Sequence, residues 1–163
     1  MDEIDFGTLY ERHAQDVFRF ALYLTGNRAE SEDVASETFV RAWMTREEIR
    51  VGTVKAYLLV IARNLCRTWS RTGLRPTPID EHARDPRPGP AASASALDQL
   101  SATLARLQRL PELDRAALLM RAQSELSYEQ IAAALGISVV AARVKVHRAR
   151  LELSELEEEA RTP

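Results

Sequence analysis

The sequence predicts an all-α protein made of two small helical domains. Apolar residues recur at three- and four-residue steps through several long segments, which is the spacing of an amphipathic helix. No segment shows the strict alternation of apolar and polar residues that is typical of a strand. Five of the seven prolines fall between residues 73 and 96, where large apolar side chains are scarce. This segment is therefore predicted to be a linker between two groups of helices.

The composition narrows the class of protein. Of the 163 residues, 45% are apolar and 28% are charged, as in globular domains. The single cysteine excludes an internal disulfide and a cysteine-based zinc site, and the three histidines lack metal-ligand spacing, so we expect no metal and no cofactor. The N-terminal segment is acidic, and charged residues interrupt its apolar ones. No apolar run is as long as a helix that spans a membrane. We therefore expect no signal peptide, no membrane insertion and a cytoplasmic location.

The charges are distributed unevenly, although the net charge is only −2. From Thr53 to Arg71 every charged side chain is positive, and the same holds from Ser138 to Arg150. Acidic residues collect near the N-terminus, in the second predicted helix and at the C-terminus. Because clustered positive charge attracts nucleic acid even when the total charge is negative, the two basic helices predict two contacts with DNA. The acidic surfaces predict a partner of another kind.

The N-terminal half predicts three helices. The first covers residues 6–24, and the Thr25-Gly26-Asn27 sequence after it is the signal that ends it. The second covers residues 28–44. The third follows a polar loop, is capped by Thr53 and covers residues 54–71. The side of the second helix that is expected to be buried carries four apolar residues: Ala35, Phe39, Ala42 and Trp43.

A polar stripe runs along the second predicted helix. Asp33, Glu37 and Arg41 are four residues apart, so their side chains line up on one outward face. Taken alone, the stripe is explained by a Glu37–Arg41 ion pair that stabilises an exposed helix by a few tenths of a kcal/mol. Cys66, in the third helix, is expected to be a packing residue or an inert thiol, because no partner that could activate it is evident.

The C-terminal half predicts two helices before its last motif. Leucines repeat at helical spacing over residues 97–110, and Pro111 opens a further helix over residues 112–123. The end of the chain, after residue 150, is expected to extend the last helix and then lose its helical structure in an acidic tail. An intramolecular screen over the basic helix is one role left open for this tail.

The motif between residues 127 and 150 predicts a helix–turn–helix. Ser127 can cap a short helix, and Gly136 can end it in the left-handed conformation that glycine adopts at low cost. Ser138 can then cap a second helix, which is basic and carries no acid up to Arg150. A helix–turn–helix with a basic second helix is suited to the major groove of DNA.

Two blocks of the sequence resemble one known family. SEDVASETFVRAW, followed after a loop by KAYLLVIARNLCRTWSR, resembles region 2 of bacterial RNA polymerase sigma factors. LPELDRAALLMRAQSELSYEQIAAALGISVVAARVKVHRAR resembles region 4 of the same proteins. The two blocks in this order, without a long N-terminal region or a middle domain, are similar to the extracytoplasmic-function (ECF) group.

The resemblance implies a division of labour along the chain. Residues 1–72 would bind core polymerase and the −10 promoter element, and residues 73–96 would form the linker. Residues 97–156 would bind the −35 element, and residues 157–163 would form the acidic tail. The implied partners are RNA polymerase core (through its β′ coiled coil and β flap), promoter DNA and an anti-sigma factor. No catalytic activity is expected, since the chain also lacks a phosphate-binding loop, a zinc-protease motif and a nucleophile–base pair.

The resemblance also implies which residues make each contact. The residues implied to bind core polymerase are Asp33, Glu37 and Arg41. Those implied to contact −10 DNA are Lys55, Asn64, Arg67 and Arg71. Those implied to contact −35 DNA are Val140, Ala141, Arg143, Val144, His147 and Arg148.

The chemistry of these side chains separates affinity from specificity. Four arginines would mostly neutralise phosphates, which gives affinity without sequence preference: Arg67, Arg71, Arg148 and Arg150. Arg143 can pair with guanine, which is worth about 1–3 kcal/mol against a wrong base. Val140 and Val144 can contact thymine methyl groups, but packing inside the protein is an equal alternative for both valines.

Two other functions remain as alternatives at this point. A stand-alone helix–turn–helix regulator would explain the last motif but not the N-terminal block, and it would bind a palindrome as a dimer without polymerase. An adaptor would bind polymerase without opening a promoter.

Overall fold

The structure, a computed structural model, describes residues 5–49, 54–73 and 94–162. Within these ranges it contains seven α-helices, a short 3₁₀ turn at Arg46–Glu48 and no strand, so the predicted all-α class is confirmed. The helices are α1 (Phe6–Thr25), α2 (Arg28–Met44), α3 (Val54–Thr72), α4 (Ala94–Gln108), α5 (Glu112–Ala122), α6 (Tyr128–Leu135) and α7 (Val139–Arg161).

The connection between α1 and α2 shows how local sequence sets the helix ends. Gly26 adopts a φ of 70°, and its backbone N–H donates to the carbonyl of Leu22, which ends α1. The side chain of Asn27 then accepts a hydrogen bond from the backbone N–H of Glu30 and caps α2. This short connection folds α2 back against α1, and α3 packs on both.

The C-terminal half is built around the contact between α5 and α7. Helix α6 packs on both of them, and α4 contacts α5 and the end of α7. The two halves also pack on each other, because α1 contacts α4 and α5 while α3 contacts α6. The buried apolar residues form one continuous cluster through both halves, and its largest fully buried members include Phe20, Phe39, Leu58, Met120 and Ile131.

Two helices extend beyond their expected bounds. Helix α4 begins at Ala94, inside the segment expected to be linker, because alanine and serine there are compatible with a further helical turn. Helix α7 continues to Arg161, so the acidic tail is helical almost to its end. Glutamates of this last part lie near arginines at the end of α4 and just after it, rather than near the basic part of α7. Arg106 and Glu157 are 3.9 Å apart, and Arg109 and Glu159 are 3.7 Å apart.

One expected core residue is on the surface. Trp43 is 38% exposed, whereas Phe39 and Ala42 of the same helix are buried and Ala35 is partly buried. The Trp43 ring packs edge-on against Phe6 with centroids 5.3 Å apart, so it is partnered by an aromatic cluster at the edge of the domain and not by the core. The expected cap Thr53 and linker residues 74–93 lie outside the described residues.

Candidate nucleic-acid interface

The helix–turn–helix forms as its sequence signals predict. The side chain of Ser127 accepts a hydrogen bond from the backbone N–H of Gln130, and the Gln130 side chain accepts one from the backbone N–H of Ser127, which makes a capping box. Gly136 ends α6 with a φ of 68°, and Ser138 caps α7. The two helices meet at a bend of 99°, which is the geometry of a DNA-binding helix–turn–helix.

Helix α7 has one buried face and one exposed face over its first three turns. Ala142, Val146 and Ala149 are 0% exposed and pack against the rest of the C-terminal half. Val140 and Val144 are 69% and 50% exposed on the other side. The packing alternative for these two valines is therefore wrong, while their contact with DNA stays a prediction.

Two basic residues of α7, Lys145 and Arg148, lie close to one buried acid of α5. Asp114 of α5 is 3% exposed, and its carboxylate lies 3.3 Å from Nζ of Lys145 and 3.7 Å from Nε of Arg148. Because Arg148 is itself exposed, this buried acid can orient the guanidinium without covering it. His147 is also exposed, and Ala141 is partly buried.

Arg143 has an aromatic neighbour instead of an acid. Its guanidinium lies over the ring of Tyr128, 5.3 Å from the centroid, and Arg121 lies over the same ring at 4.6 Å. A stacked guanidinium keeps its hydrogen-bond donors at its edge, where they remain free to meet a base. The fold thus presents Arg143 beside Val140 and Val144 on the exposed side of α7.

The predicted −10 residues of α3 do not form one surface in this structure. Arg67 and Arg71 line a cleft of about 430 Å³ between α3 and the start of α5. Asn64 lines a different cleft, of about 540 Å³, together with Glu37 and Arg41 of α2. Sequence spacing places all of these polar residues outside the core, but it does not show that they open onto different clefts.

Lys55 makes contacts that the sequence does not predict. Its Nζ donates to the backbone carbonyl of Ser124 at 3.2 Å and lies 3.5 Å from the carboxylate of Asp16. Arg63, which was not among the predicted site residues, is 7% exposed and pairs with Glu112 of α5. Its four-residue spacing from Arg67 was the available signal, but its partner lies across the linker segment.

The stripe on α2 is accessible at Glu37 and Arg41, and it lies beside apolar side chains. Nε of Arg41 donates to Oε1 of Glu37 at 3.0 Å, and both side chains remain accessible. Asp33, one turn earlier, is partly buried. Val40 and Met44, on the same helix, are 51% and 76% exposed. Accessible charges beside exposed apolar groups are the composition of a protein–protein contact rather than of a DNA contact.

Burial shifts the pKa of one buried and one half-buried titratable group in the N-terminal half. Cys66 is 4% exposed, which confirms the expectation that it is a packing residue. Burial raises the pKa of its thiol to about 12, and the charges of Glu30 and Glu112 act in the same direction. Burial lowers the pKa of His13, and its buried Nδ1 has no hydrogen-bond partner.

Neither metal chemistry nor a single membrane helix is indicated in the described part of the chain. Residues 5–49, 54–73 and 94–162 contain no group of three or more His, Cys, Asp or Glu side chains that could hold a metal ion. In the same ranges no single helix is long and apolar enough to cross a bilayer, and the only helix pair that passes on length and composition is the sharply bent α6–α7.

Comparisons with known proteins agree with the division into two halves. The sequence model of sigma-70 region 2 matches residues 9–75, and that of sigma-70 region 4 matches residues 100–153. The ECF RNA polymerase sigma factor SigL of Mycobacterium tuberculosis is 32% identical over 160 residues, which cover 91% of this chain and 88% of SigL. The chain therefore belongs to the ECF sigma factor family.

Two longer relatives and two solved structures are also similar. SigE of Mycolicibacterium smegmatis is 34% identical and RfaY of Xanthomonas campestris is 32% identical, and the match spans only 59% and 38% of their lengths. The sigma factor RpoE, solved with the anti-sigma factor NepR from Bartonella quintana, superposes with a TM-score of 0.73 at 25% identity, over 94% of this chain and 97% of that one. CnrH, solved with the cytosolic domain of CnrY, gives 0.74 at 25% identity, over 96% and 89% of the two chains.

Proposed function

We propose that this chain is a dissociable specificity subunit of bacterial RNA polymerase, which binds the core enzyme and directs it to promoters. The observation that carries the proposal is the pair of DNA-suited helices, α3 and α7, one in each half of a chain that belongs to the ECF family. The subunit performs no catalysis, because the polymerase makes the RNA, and it acts in the cytoplasm. The two functional domains cover residues 1–72 and 94–156, and residues 73–93 join them.

The C-terminal domain reads the −35 element through the start of α7. Val140, Val144 and Arg143 face solvent on the side opposite the buried alanines, where they can reach base edges in a major groove. Arg148, oriented by Asp114, binds a backbone phosphate. Ala141 and His147 complete the set at the rim of the same face.

The N-terminal domain contacts the −10 element through α3. Asn64, Arg67 and Arg71 are exposed, and the helix carries no acid along its length. Lys55 contributes only once its contacts with Asp16 and Ser124 are exchanged for DNA. Positive side chains on one helix give salt-dependent affinity for the phosphates of the DNA strand. Asn64 can add hydrogen bonds to a base.

The α2 surface binds the core enzyme. Asp33, Glu37 and Arg41 provide charges of both signs, and the exposed Val40 and Met44 provide apolar area beside them. By analogy with the family, the β′ coiled coil docks on this face and the β flap meets the C-terminal domain. An anti-sigma factor is a further proposed partner, because the two similar sigma structures were each solved with such a partner or with a partner's cytosolic domain.

Reconstitution with core RNA polymerase tests the proposal. We expect the purified chain to bind core enzyme, and the mixture to produce transcripts of defined start site that core enzyme alone does not make. The chain alone is expected to shift promoter DNA poorly in a gel. A stand-alone regulator predicts the opposite pair of results, tight operator binding and no effect of core enzyme, and an adaptor predicts core binding without defined transcripts.

A further inference from the structure

An ion pair with matched geometry joins the two halves of the molecule. Arg63 lies in α3, and Glu112 is the first residue of α5. Nε of Arg63 donates a hydrogen bond to Oε1 of Glu112, and Nη2 donates one to Oε2, both at 2.9 Å. The Arg63 side chain is 9% exposed and that of Glu112 is 36% exposed. Two parallel charge-assisted hydrogen bonds are among the stronger polar contacts in proteins. Here they connect residues that are 49 positions apart.

Other polar contacts cross the same boundary. Arg115 of α5 and Gln108 of α4 both donate to the carbonyl of Leu24, in the last turn of α1. The end of a helix leaves such carbonyls without a partner of its own, so the C-terminal half supplies the missing donors. Lys55, at the start of α3, donates to the carbonyl of Ser124. We call the molecule closed when its two halves pack on each other in this way. Polar contacts to both α1 and α3 stabilise the closed molecule.

Closure covers part of the face of α3 that is proposed to bind DNA. Arg63, Arg67 and Arg71 follow each other at four-residue steps and so share one side of the helix. The first is paired with Glu112, and the other two line the cleft whose opposite wall is formed by α4 and α5. A DNA strand lying along this side of α3 would have to displace the start of α5.

We propose that the Arg63–Glu112 pair is an autoinhibitory latch, which keeps the two halves of the free chain closed without any partner. When the chain opens, Arg63 exchanges the carboxylate of Glu112 for a phosphate of the DNA. The exchange rests on the proposed function, since it takes α3 as a DNA-binding helix.

The chemistry and the chain length allow this exchange. The planar guanidinium meets a carboxylate and a phosphate with the same two-pronged geometry, so Arg63 is paired in both states. Glu112 is already partly exposed and returns to water when released. Twenty residues, 74–93, join the halves, which corresponds to a maximum chain length of about 70 Å.

Cys66 provides a readout of opening that needs no label. It is 4% exposed and lines the cleft beside Glu112, so the closed chain should react slowly with a thiol reagent such as DTNB at neutral pH. We expect Glu112→Gln to raise the reaction rate about tenfold, because one partner of a largely desolvated pair is weakened. The same variant should show a larger radius of gyration in small-angle X-ray scattering.

Glu30→Gln is the matched control. Glu30 lines the same cleft and, like Glu112, its charge acts on Cys66, but it makes no hydrogen bond to Arg63. Both substitutions therefore remove one negative charge near the thiol, and only Glu112→Gln disrupts the pair. Equal thiol reactivity and equal radius of gyration in the two variants would overturn the latch.

A charge exchange separates opening from loss of folding. Arg63→Glu combined with Glu112→Arg restores an ion pair with its direction reversed, and it should return the thiol reactivity and the radius of gyration towards the wild-type values. If the double variant has a native circular dichroism spectrum but remains as open as Glu112→Gln, the latch is overturned.

A DNA measurement tests the exchange of partners separately. The probe is single-stranded DNA of mixed sequence, about 20 nucleotides long. Glu112→Gln should bind it more tightly than Glu30→Gln does, with a salt dependence steeper by about 0.7 in log–log slope for the one guanidinium released. Adding Arg63→Gln to Glu112→Gln should remove this gain.

The two readouts fail in different ways. Opening without a change in the salt slope supports the latch and overturns the transfer of Arg63 to phosphate. It leaves the proposed contacts of Asn64, Arg67 and Arg71 with DNA untouched, because those side chains are already exposed in the closed chain. Absence of opening overturns the latch whatever the DNA measurement gives.

Discussion

The environment of each arginine, rather than its position in a basic segment, decides what it can do. Arg63 is buried against Glu112, and Arg148 is exposed but held by Asp114. Arg143 lies over an aromatic ring and faces solvent. A guanidinium that is already paired across the protein contributes to closure, whereas one that is stacked and accessible can contribute to recognition.

Replacement of Arg143 by alanine should change which promoters are used. Its guanidinium can pair with one base, so Arg143→Ala should reduce discrimination at a single −35 position by about 1–3 kcal/mol. Transcription by the reconstituted enzyme from promoters that vary at each −35 position measures this. Arg109→Ala removes an exposed arginine elsewhere in the same half and should leave the preference intact. An unchanged preference in Arg143→Ala would contradict the assignment.

His13 should make stability depend on pH near neutrality. Burial lowers its pKa from the ordinary 6.5, the charges of Lys55 and Arg12 act in the same direction, and Asp16 opposes them. The unfolded chain therefore takes up a proton at higher pH than the folded chain does, so the contribution to stability is complete above the ordinary pKa and is lost as the pH falls below it.

Urea unfolding between about pH 8 and pH 5 measures this dependence. The wild type should lose more stability over that pH interval than the His13→Gln variant does, because the variant has no titrating side chain at position 13. Parallel pH profiles for the two proteins would show that His13 does not titrate differently on folding.

Single residues were the least predictable part of the molecule. The exposure of Val140 and Val144 was left open by the sequence, because an apolar residue at helical spacing is equally compatible with a core or with a base-reading face. Trp43 was expected inside and lies at the surface, since its aromatic partner Phe6 comes from another helix. The pairing of Arg63 was not foreseen at all.

At the scale of elements, most helix ends were predictable because the signals are local. Gly26, Gly136 and the capping serines Ser127 and Ser138 act within three or four residues of their own position, so their effect can be inferred from sequence alone. The start of α4 and the end of α7 were misplaced because alanine, serine and glutamate there permit a helix without requiring one.

The turn of the helix–turn–helix should depend on the left-handed conformation of Gly136. Its φ is 68°, and a Cβ added at this position would meet no atom within 4 Å, so Gly136→Ala should cost about 1 kcal/mol through backbone strain alone. Gly7→Ala, in the first turn of α1, is the control and should be neutral or stabilising. Thermal unfolding compares them, and equal effects would contradict this role of Gly136.

The exposed face of α2 should bind core polymerase. Glu37→Arg reverses a charge at its centre and should weaken binding about tenfold or more, because like charges across an interface are costly. Glu11→Arg makes the same change at an exposed position of α1, outside the two surfaces proposed to contact core enzyme, and serves as the control. Titration against labelled core enzyme measures both affinities, and equal values would exclude this face from the interface.

At the scale of the whole molecule, the contact between the halves could not be predicted from sequence. The all-α class, the two groups of helices and the DNA-suited motif follow from periodicity and local signals. The pairing of Arg63 with Glu112, and of Lys55 with Ser124, joins residues 49 and 69 positions apart, for which no local pattern exists. The same contacts form one wall of the cleft that holds Arg67 and Arg71, whereas the cleft of Asn64 lies within the N-terminal half.

The central claim is that two separate DNA contacts act together on one polymerase. The most direct test is to sequence the RNA 5′ ends made by core polymerase and this chain on a library of random DNA. We predict two enriched sequence blocks upstream of each start, at fixed spacing, with the preference at one position of the distal block weakened in Arg143→Ala and the proximal block unchanged. A single palindromic motif, selected by the chain without polymerase, would contradict the account.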